Sequence, residues 1–258
     1  MPARTRCVAT VLSGLALLAL APTTLASTFD CRYTAERTAS VDTSGALRME
    51  VVGRAGDLDL RPVASSVVTG HGTACASSEE YLAQTRVHAR REGNVVRVYV
   101  QTPDEMKGIG LVYASLDLEV DVPAGMPVQV TDTSGDLTVR GLRITHLTDS
   151  SGDILLRGMQ GDIEIRDSSG ELRVEDAAGL VRINDSSGDI VVRGARDVEI
   201  PSDSSGAIEI ERVAGSVRID QDSSGDIRIT GVGRDVDLLA DSSGTVTVQD
   251  VEGSVRLP

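Results

Sequence analysis

Asp149-Ser-Ser-Gly-Asp-Ile-Leu-Leu-Arg157 runs directly into Gly158-Met-Gln-Gly-Asp-Ile-Glu-Ile-Arg166. Each nonapeptide reads as a four-residue turn followed by a five-residue strand. The Gly supplies the backbone freedom of a tight turn. The strand alternates apolar and polar residues with period two. Together the halves make an 18-residue unit, and the Asp-Ser/Thr-Ser-Gly turn recurs at Asp132, Asp149, Asp167, Asp185, Asp203, Asp222 and Asp241. The spacings are 17, 18, 18, 18, 19 and 19, with no insertion from residue 149 onward.

The apolar positions keep this register. First-strand pairs are Leu137/Val139, Ile154/Leu156, Leu172/Val174, Ile190/Val192, Ile208/Ile210, Ile227/Ile229 and Val246/Val248. Second-strand pairs begin clearly at Ile163/Ile165 and continue to Val255/Leu257; in the first unit the second strand, near Thr145–Leu147, is indistinct. Leu142, Met159, Ala177, Ala195, Val213, Val232 and Val251 form a third column at the mid-coil turn. Two period-two strands per coil predict an all-β fold: a parallel β-helix, or two-sheet β-roll solenoid, with about 18 residues per coil. One coil cannot bury enough apolar surface to offset the entropy of ordering it, so stacking is compulsory. Aromatics are 2% of the chain, which suits a core of stacked Ile, Val and Leu.

Polar columns follow. Outward on the second strand, Glu164, Arg182, Glu199, Arg218, Asp237 and Arg256 alternate in sign, so stacked neighbours attract. The Asp column instead places like charges at about 4.8 Å, which repel by roughly 0.9 kcal/mol per neighbour in water. Two arrangements offset this. Each Asp can accept hydrogen bonds from turn N–H and Ser hydroxyl groups. Alternatively Asp149, Asp167, Asp185, Asp203, Asp222 and Asp241 hold a row of cations such as calcium along the surface. The calcium-binding nonapeptide roll shares the nine-residue half-coil, but its ligand Asp falls where this chain has Ile154 or Ile190. Asp153 and Asp189, one position earlier, are expected to face outward, leaving a dry core.

Residues 27–131 read as the cap and first coils of the solenoid, and residues 132–258 as its seven-repeat body. Asp42-Thr-Ser-Gly45 resembles an eighth, degenerate turn, with Gly56-Asp-Leu58-Asp-Leu60 as its second strand. Residues 63–76 read as a loop, and Ser78–Gln84 as a short helix. Val87–Arg91 and Val95–Thr102 form a hairpin across Glu92-Gly-Asn94.

Residues 1–26 read as a cleavable signal peptide: basic Arg4 and Arg6, an apolar run from Val8 to Leu20, and small residues around Ala26. The chain is then periplasmic or extracellular, with no transmembrane segment after cleavage. Losing Arg4 and Arg6 takes the net charge from −14 to −16, which argues against nucleic acid as a partner. Cys31 and Cys75 are the pair left after Cys7 departs, and they predict a disulfide in an oxidising compartment.

The Ser-Gly-Asp-Ile-x-Val units, Val120-Asp-Val-Pro-Ala-Gly125 and the signal peptide resemble a bacterial exported family catalogued as a "putative adhesin" with β-strand repeats, a domain of unknown function. The resemblance covers roughly residues 40–258. It implies a parallel β-helix on the cell envelope or surface and carries over no catalytic residue.

Three functions compete. A non-catalytic structural or interaction protein of the envelope, adhesin-like, would use the long regular faces of the solenoid on a protein or glycan. A calcium- or mineral-binding acidic solenoid would use the Asp ladder. A polysaccharide-acting β-helix enzyme would need long loops and a catalytic cluster, whereas the coils have no insertions and His71, His88 and His146 are scattered. The expectation is therefore no enzyme activity and no cofactor. Self-association through the C-terminal coil is a further expectation, because a strand edge there is a template for another chain; Arg256 and Pro258 as a blunt cap are the alternative.

Overall fold

The computed structural model describes residues 31–107 and 109–258; the segment 1–26 read as a signal peptide lies outside them. In chain order the elements are β1 (Tyr33–Asp42), β2 (Arg48–Val52), β3 (Leu58–Val63), β4 (Val67–Ala76), α1 (Glu79–Gln84), β5 (Arg86–Glu92), β6 (Val95–Gln101), β7 (Ala114–Pro123) and β8 (Pro127–Thr131). The repeat array supplies β9 (Leu137–Arg140), β10 (Arg143–Thr148), β11 (Ile154–Arg157), β12 (Ile163–Arg166), β13 (Leu172–Asn184) and β14 (Ile190–Ser202). It ends with β15 (Ile208–Val213), β16 (Val217–Ile219), β17 (Ile227–Val232), β18 (Val236–Leu238), β19 (Val246–Val251) and β20 (Val255–Arg256).

The strands stack in two files. One runs β7–β3–β9–β11–β13–β14–β15–β17–β19, all parallel, with β4 added antiparallel to β7 and β1 antiparallel to β4. The other runs β6–β2–β8–β10–β12–β13–β14–β16–β18–β20, all parallel, with β5 antiparallel to β6. The long strands β13 and β14 pass through the mid-coil turn and serve both files. The fold is the predicted β-solenoid: Ile154 pairs with Leu172, Leu172 with Ile190, Ile190 with Ile208 and Ile208 with Ile227, each one coil on.

Register and burial agree. Ile154, Ile190 and Ile227 are at most 1% exposed, and the mid-coil column is buried from Leu142 to Val232. In the last coil Val246, Val248 and Val251 are only partly covered, and Val255 and Leu257 are exposed. β10 carries a bulge between Ile144 and His146, so Ile144 and Leu147 both face the core. The bulge is why its pattern is indistinct in sequence.

The cap departs from expectation in two places and adds a strand that the sequence reading did not name. Asp42-Thr-Ser-Gly45 is not a ladder turn. Met49 and Val51 lie on Val128 and Val130, in the file of second strands, while Leu58 and Leu60 lie on Leu137 and Val139, in the file of first strands. The turn that stacks on the array is therefore Gly53-Arg-Ala-Gly56, with Ala55 bridged to Ser134. Residues 67–76 are a ten-residue strand, not a loop. Small residues are required there: a Cβ on Gly72 would lie 1.9 Å from the Asp117 carbonyl oxygen on β7. Finally, β1 pairs along its whole length with β4, although none of its residues is buried. Helix α1 forms as expected, with the Ser78 hydroxyl accepting from the Tyr81 N–H at 3.2 Å. Cys31 and Cys75 form a disulfide that ties the start of β1 to β4, worth about 2–4 kcal/mol.

Glycine decides how closely the coils approach. Gly188 has φ +138°, and a Cβ there would sit 1.8 Å from the Gly170 carbonyl oxygen of the coil before. The mid-coil turn is more permissive. Gly158, Gly194 and Gly231 are left-handed, and so, in register with them, are Asp176 and Arg212 at φ 56°.

Three substitutions test this packing. Gly188→Ala should lose more than about 2 kcal/mol of stability in urea unfolding, while Gly93→Ala, a left-handed hairpin position with open space around it, should lose about 1 kcal/mol. Arg212→Gly should gain up to about 1 kcal/mol, because the strain of a left-handed non-glycine residue goes; a loss would mean that the Arg212 side chain contributes more than its backbone costs.

Candidate functional site

Three features stand out from the regular stack: the Asp column, an acidic hollow near the cap, and a basic face on the cap's other side.

The Asp column points inward rather than along the surface. Asp132, Asp149, Asp167, Asp185, Asp203 and Asp222 are all at most 4% exposed, at the corner where each second strand turns into the next coil; Asp241 is only half-buried. The column starts over Gly53, where a side chain would collide with the Asp132 carboxylate. The turn N–H bonds exist in part: Asp132, Asp167 and Asp185 each accept from the N–H of the following residue at 2.7–2.9 Å. Both carboxylate oxygens of Asp149, Asp203 and Asp222 are buried without a hydrogen-bond partner. The Ser hydroxyls do not serve the carboxylates. Ser151, Ser169, Ser187, Ser224 and Ser243 donate instead to carbonyls of the preceding coil.

Burial therefore raises these carboxyls out of the ordinary carboxylate range. Asp203 is pushed to about 7 by burial, with Asp185 and Asp222 adding repulsion; Asp132 goes to about 7 and Asp167 to about 6 for the same first reason. Asp149, Asp185 and Asp222 are raised too, again by burial. A proton on some members of the column removes the like-charge repulsion. Among the described residues, no group of three or more His, Cys, Asp or Glu side chains is placed to hold a metal ion. The ladder borders a polar surface hollow of 390 Å³ with Ser168, Asn184 and Ser204.

Where a second Asp follows the turn glycine, as at Asp153, Asp189 and Asp226, it faces outward as expected and clamps one coil to the next. Asp153 accepts from the Glu171 N–H at 2.9 Å, Asp189 from Ala207 and Asp226 from Thr245, both at 2.8 Å. Asp162, Asp197 and Asp235 do the same at the mid-coil turn.

The acidic hollow, 540 Å³, is lined by Asp57, Asp59, Asp117, Glu119, Asp136 and His71 among others. Its carboxylates already have structural work. Asp117 accepts from the Asp57 N–H and Asp57 from the Asp136 N–H. Asp59 pairs with Arg140 at 2.5 Å, and Glu119 with Arg61 at 2.9 Å. His71 lies 3.4 Å from Glu119 and is 40% exposed.

On the second file the outward row runs unbroken from cap to last coil: Arg90, Arg97, Glu50, Gln129, His146, Glu164, Arg182, Glu199, Arg218, Asp237, Arg256. The alternation read from sequence forms real pairs at Arg182–Glu199 (2.6 Å) and Arg256–Asp237 (3.2 Å). Toward the cap it gives way to cations. Arg97 pairs with Glu50 at 2.6 Å, and Arg90 lies 5.0 Å over the Tyr99 ring, which also stacks on His88. The sequence reading missed this cluster. Its signal was the hairpin of residues 86–101, with four Arg against one Glu in an acidic chain.

Residues 78–248 match the family described as Toastrack DUF4097. The chain belongs to this family. The Toastrack match spans the helix, the hairpin and all seven ladder turns. No curated protein matches the chain in sequence. Among solved structures it is similar to a "putative cell adhesion protein" from Clostridium sporogenes ATCC 15579, at 10% identity and TM-score 0.40, over 87% of this chain and 100% of that one. It is also similar to a "putative adhesin" from Bacteroides fragilis NCTC 9343, at 14% identity and TM-score 0.40, over 87% and 96%. A third, a "putative lipid binding protein" from Parabacteroides distasonis ATCC 8503, has 15% identity and TM-score 0.38, over 86% and 97%.

The ladder makes a signed prediction. A carboxyl raised above its unfolded value near 3.9 contributes stability that is present at low pH and lost as pH rises through the folded value. Unfolding midpoints should therefore fall between about pH 5 and pH 8. Asp203→Asn should raise stability at pH 8 by about 1–3 kcal/mol and change it little at pH 5. If millimolar calcium raised the pH 8 midpoint of the unsubstituted chain, cations rather than protons would be offsetting the ladder's charge.

Proposed function

We propose that this Toastrack protein is a non-catalytic, exported structural and interaction protein of the bacterial envelope, adhesin-like in its use of long regular faces. The observation that carries the reading is the coil-to-coil register. It sets outward side chains in straight rows along both files, a geometry suited to contact with an extended partner. The Cys31–Cys75 disulfide supports an extracytoplasmic setting, either periplasmic or on the cell surface. Among the described residues no helix is long and apolar enough to cross a membrane. The acidic hollow supports a non-catalytic role, since its carboxylates hold backbone N–H groups and Arg side chains. We assign no cofactor to this role. Self-association through the coil bearing Val255 and Leu257 belongs to the same proposal, and those side chains are 44% and 50% exposed.

Fractionating host cells, with a deletion strain as the blank, should locate the chain outside the cytoplasm, and the purified protein should sediment with isolated envelopes. Recovery in the cytoplasm, or polysaccharide lyase or hydrolase activity of the pure protein, would overturn the reading. Light scattering at high concentration should detect self-association that Val255→Lys weakens.

A further inference from the structure

We propose that the outer face of β2, β6 and β5 binds a carboxylate-bearing polysaccharide. The inference rests on the interaction-protein reading above and names its ligand class.

The face is an electrostatic exception. The chain carries −14 overall, yet the hairpin of β5 and β6 carries four Arg against one Glu. On the adjoining strand, β2, Glu50 is shared by Arg48 at 3.2 Å and Arg97 at 2.6 Å, and Arg90 pairs with Glu92 at 2.6 Å. Arg54, in the turn that follows β2, is exposed, and its guanidinium has no ion pair or side-chain hydrogen bond among the described residues. A planar guanidinium free to fork onto an anion is the residue type that reads carboxylates.

The face also has an apolar floor. Val52 and Tyr99 are directly opposite in the β2–β6 ladder. His88 and Arg90, both on β5, flank the Tyr99 ring from one side. On the β2 side, Val52, Arg54, Arg97 and Tyr99 border a hollow of 340 Å³, at the small end of ligand sites. Tyr99 is one of only four Tyr in the chain. A half-buried aromatic beside an aliphatic side chain, ringed by guanidinium groups, fits a sugar ring that carries an anionic group. The bulk of the chain repels a long polyanion, so binding must be local, to one or a few residues of the polymer. A nucleic acid or an anionic membrane needs an extended positive surface, and the row leaving this patch toward the array alternates in sign.

The obvious structural role for these Arg residues is to guard the exposed edge of β5 against pairing with another chain. That role fits Arg86 and Arg91. It does not account for Arg54 and Arg97, which lie away from the edge strand.

The experiment uses isothermal titration of the purified full-length mature chain with hexagalacturonate. Maltohexaose, phosphatidylglycerol vesicles and a single-stranded oligonucleotide are the comparison probes. Hexagalacturonate should bind, weaken as salt rises from about 20 to about 300 mM, and bind at least tenfold more weakly to Arg54→Glu, with Arg54→Lys intermediate. Unfolding midpoints of both variants should stay unchanged, since Arg54 is solvent-exposed. No binding, equal binding of maltohexaose, tighter binding of vesicles or oligonucleotide, or an unaffected Arg54→Glu would each overturn the site. Envelope sedimentation of the unsubstituted chain separates the two proposals. If the unsubstituted chain sediments and hexagalacturonate does not bind, the interaction reading stands and this site falls. If the unsubstituted chain does not sediment, the interaction reading falls whatever the titration gives.

Discussion

The structure depends on how closely one coil can lie on the next at the ladder turn. A parallel strand spacing of about 4.8 Å leaves no room for a side chain where the turn Gly faces the carbonyl below. From Gly152 to Gly244 a Cβ on the turn glycine would lie 1.7–2.0 Å from the carbonyl oxygen of the preceding turn glycine. Glycine there is a stacking requirement as much as a turn requirement. Once the backbones are this close, the remaining columns follow: Ile over Leu in the core, Ser hydroxyl to carbonyl at the corner, outward Asp to N–H on the faces. Each uses the same repeat distance, so a change at one column is felt by its neighbours above and below.

The Asp ladder is the place where that repetition is costly. Stacking identical residues is favourable for aliphatic side chains, which gain contact, and unfavourable for buried carboxyls, which lose water and face each other. The corner accommodates them through the turn N–H bonds at Asp132, Asp167 and Asp185 and through carboxyls raised toward neutrality. Outward Asp residues at the mid-coil turn behave oppositely. Asp197 and Asp235 are held below the ordinary carboxylate range, Asp197 first by the Ser216 N–H and Asp235 first by the Ser254 hydroxyl. The Asp of the two turns thus shift in opposite directions, because at the ladder turn the side chain faces the core and at the mid-coil turn it faces the next coil's backbone N–H.

The array was legible because its signal repeats: seven copies of one turn and strand pairs with no polar intruder fix period, register and core. The orientation of the first Asp was not. Its period-two parity relative to the second strand places it inward, but the repeat pattern left turn hydrogen bonds and a surface cation row both open. The cap was read poorly for a different reason. Residues 67–76 contain Gly70, Gly72, Thr69 and Thr73, a loop-like composition, and they form a strand because β1 and β7 on either side supply its hydrogen bonds. Gly53 takes the ladder position of Asp in the cap, so Asp42-Thr-Ser-Gly45 was a decoy of similar spelling. The basic face was missed because its members come from separate strands, and only the pairing of β2 with β6 brings Val52 beside Tyr99.

The alternating row on the second file limits how this array can change in length. Glu164, Arg182, Glu199, Arg218, Asp237 and Arg256 attract because each coil carries the opposite sign to its neighbours. Excising the coil of Glu199 would set Arg182 directly against Arg218, and duplicating a single coil would set like against like at the new junction. Genes for such a chain can therefore grow or shrink most smoothly by two coils at once, so the outward charges give the solenoid an even-numbered unit of inheritance that its apolar core, indifferent to parity, does not impose.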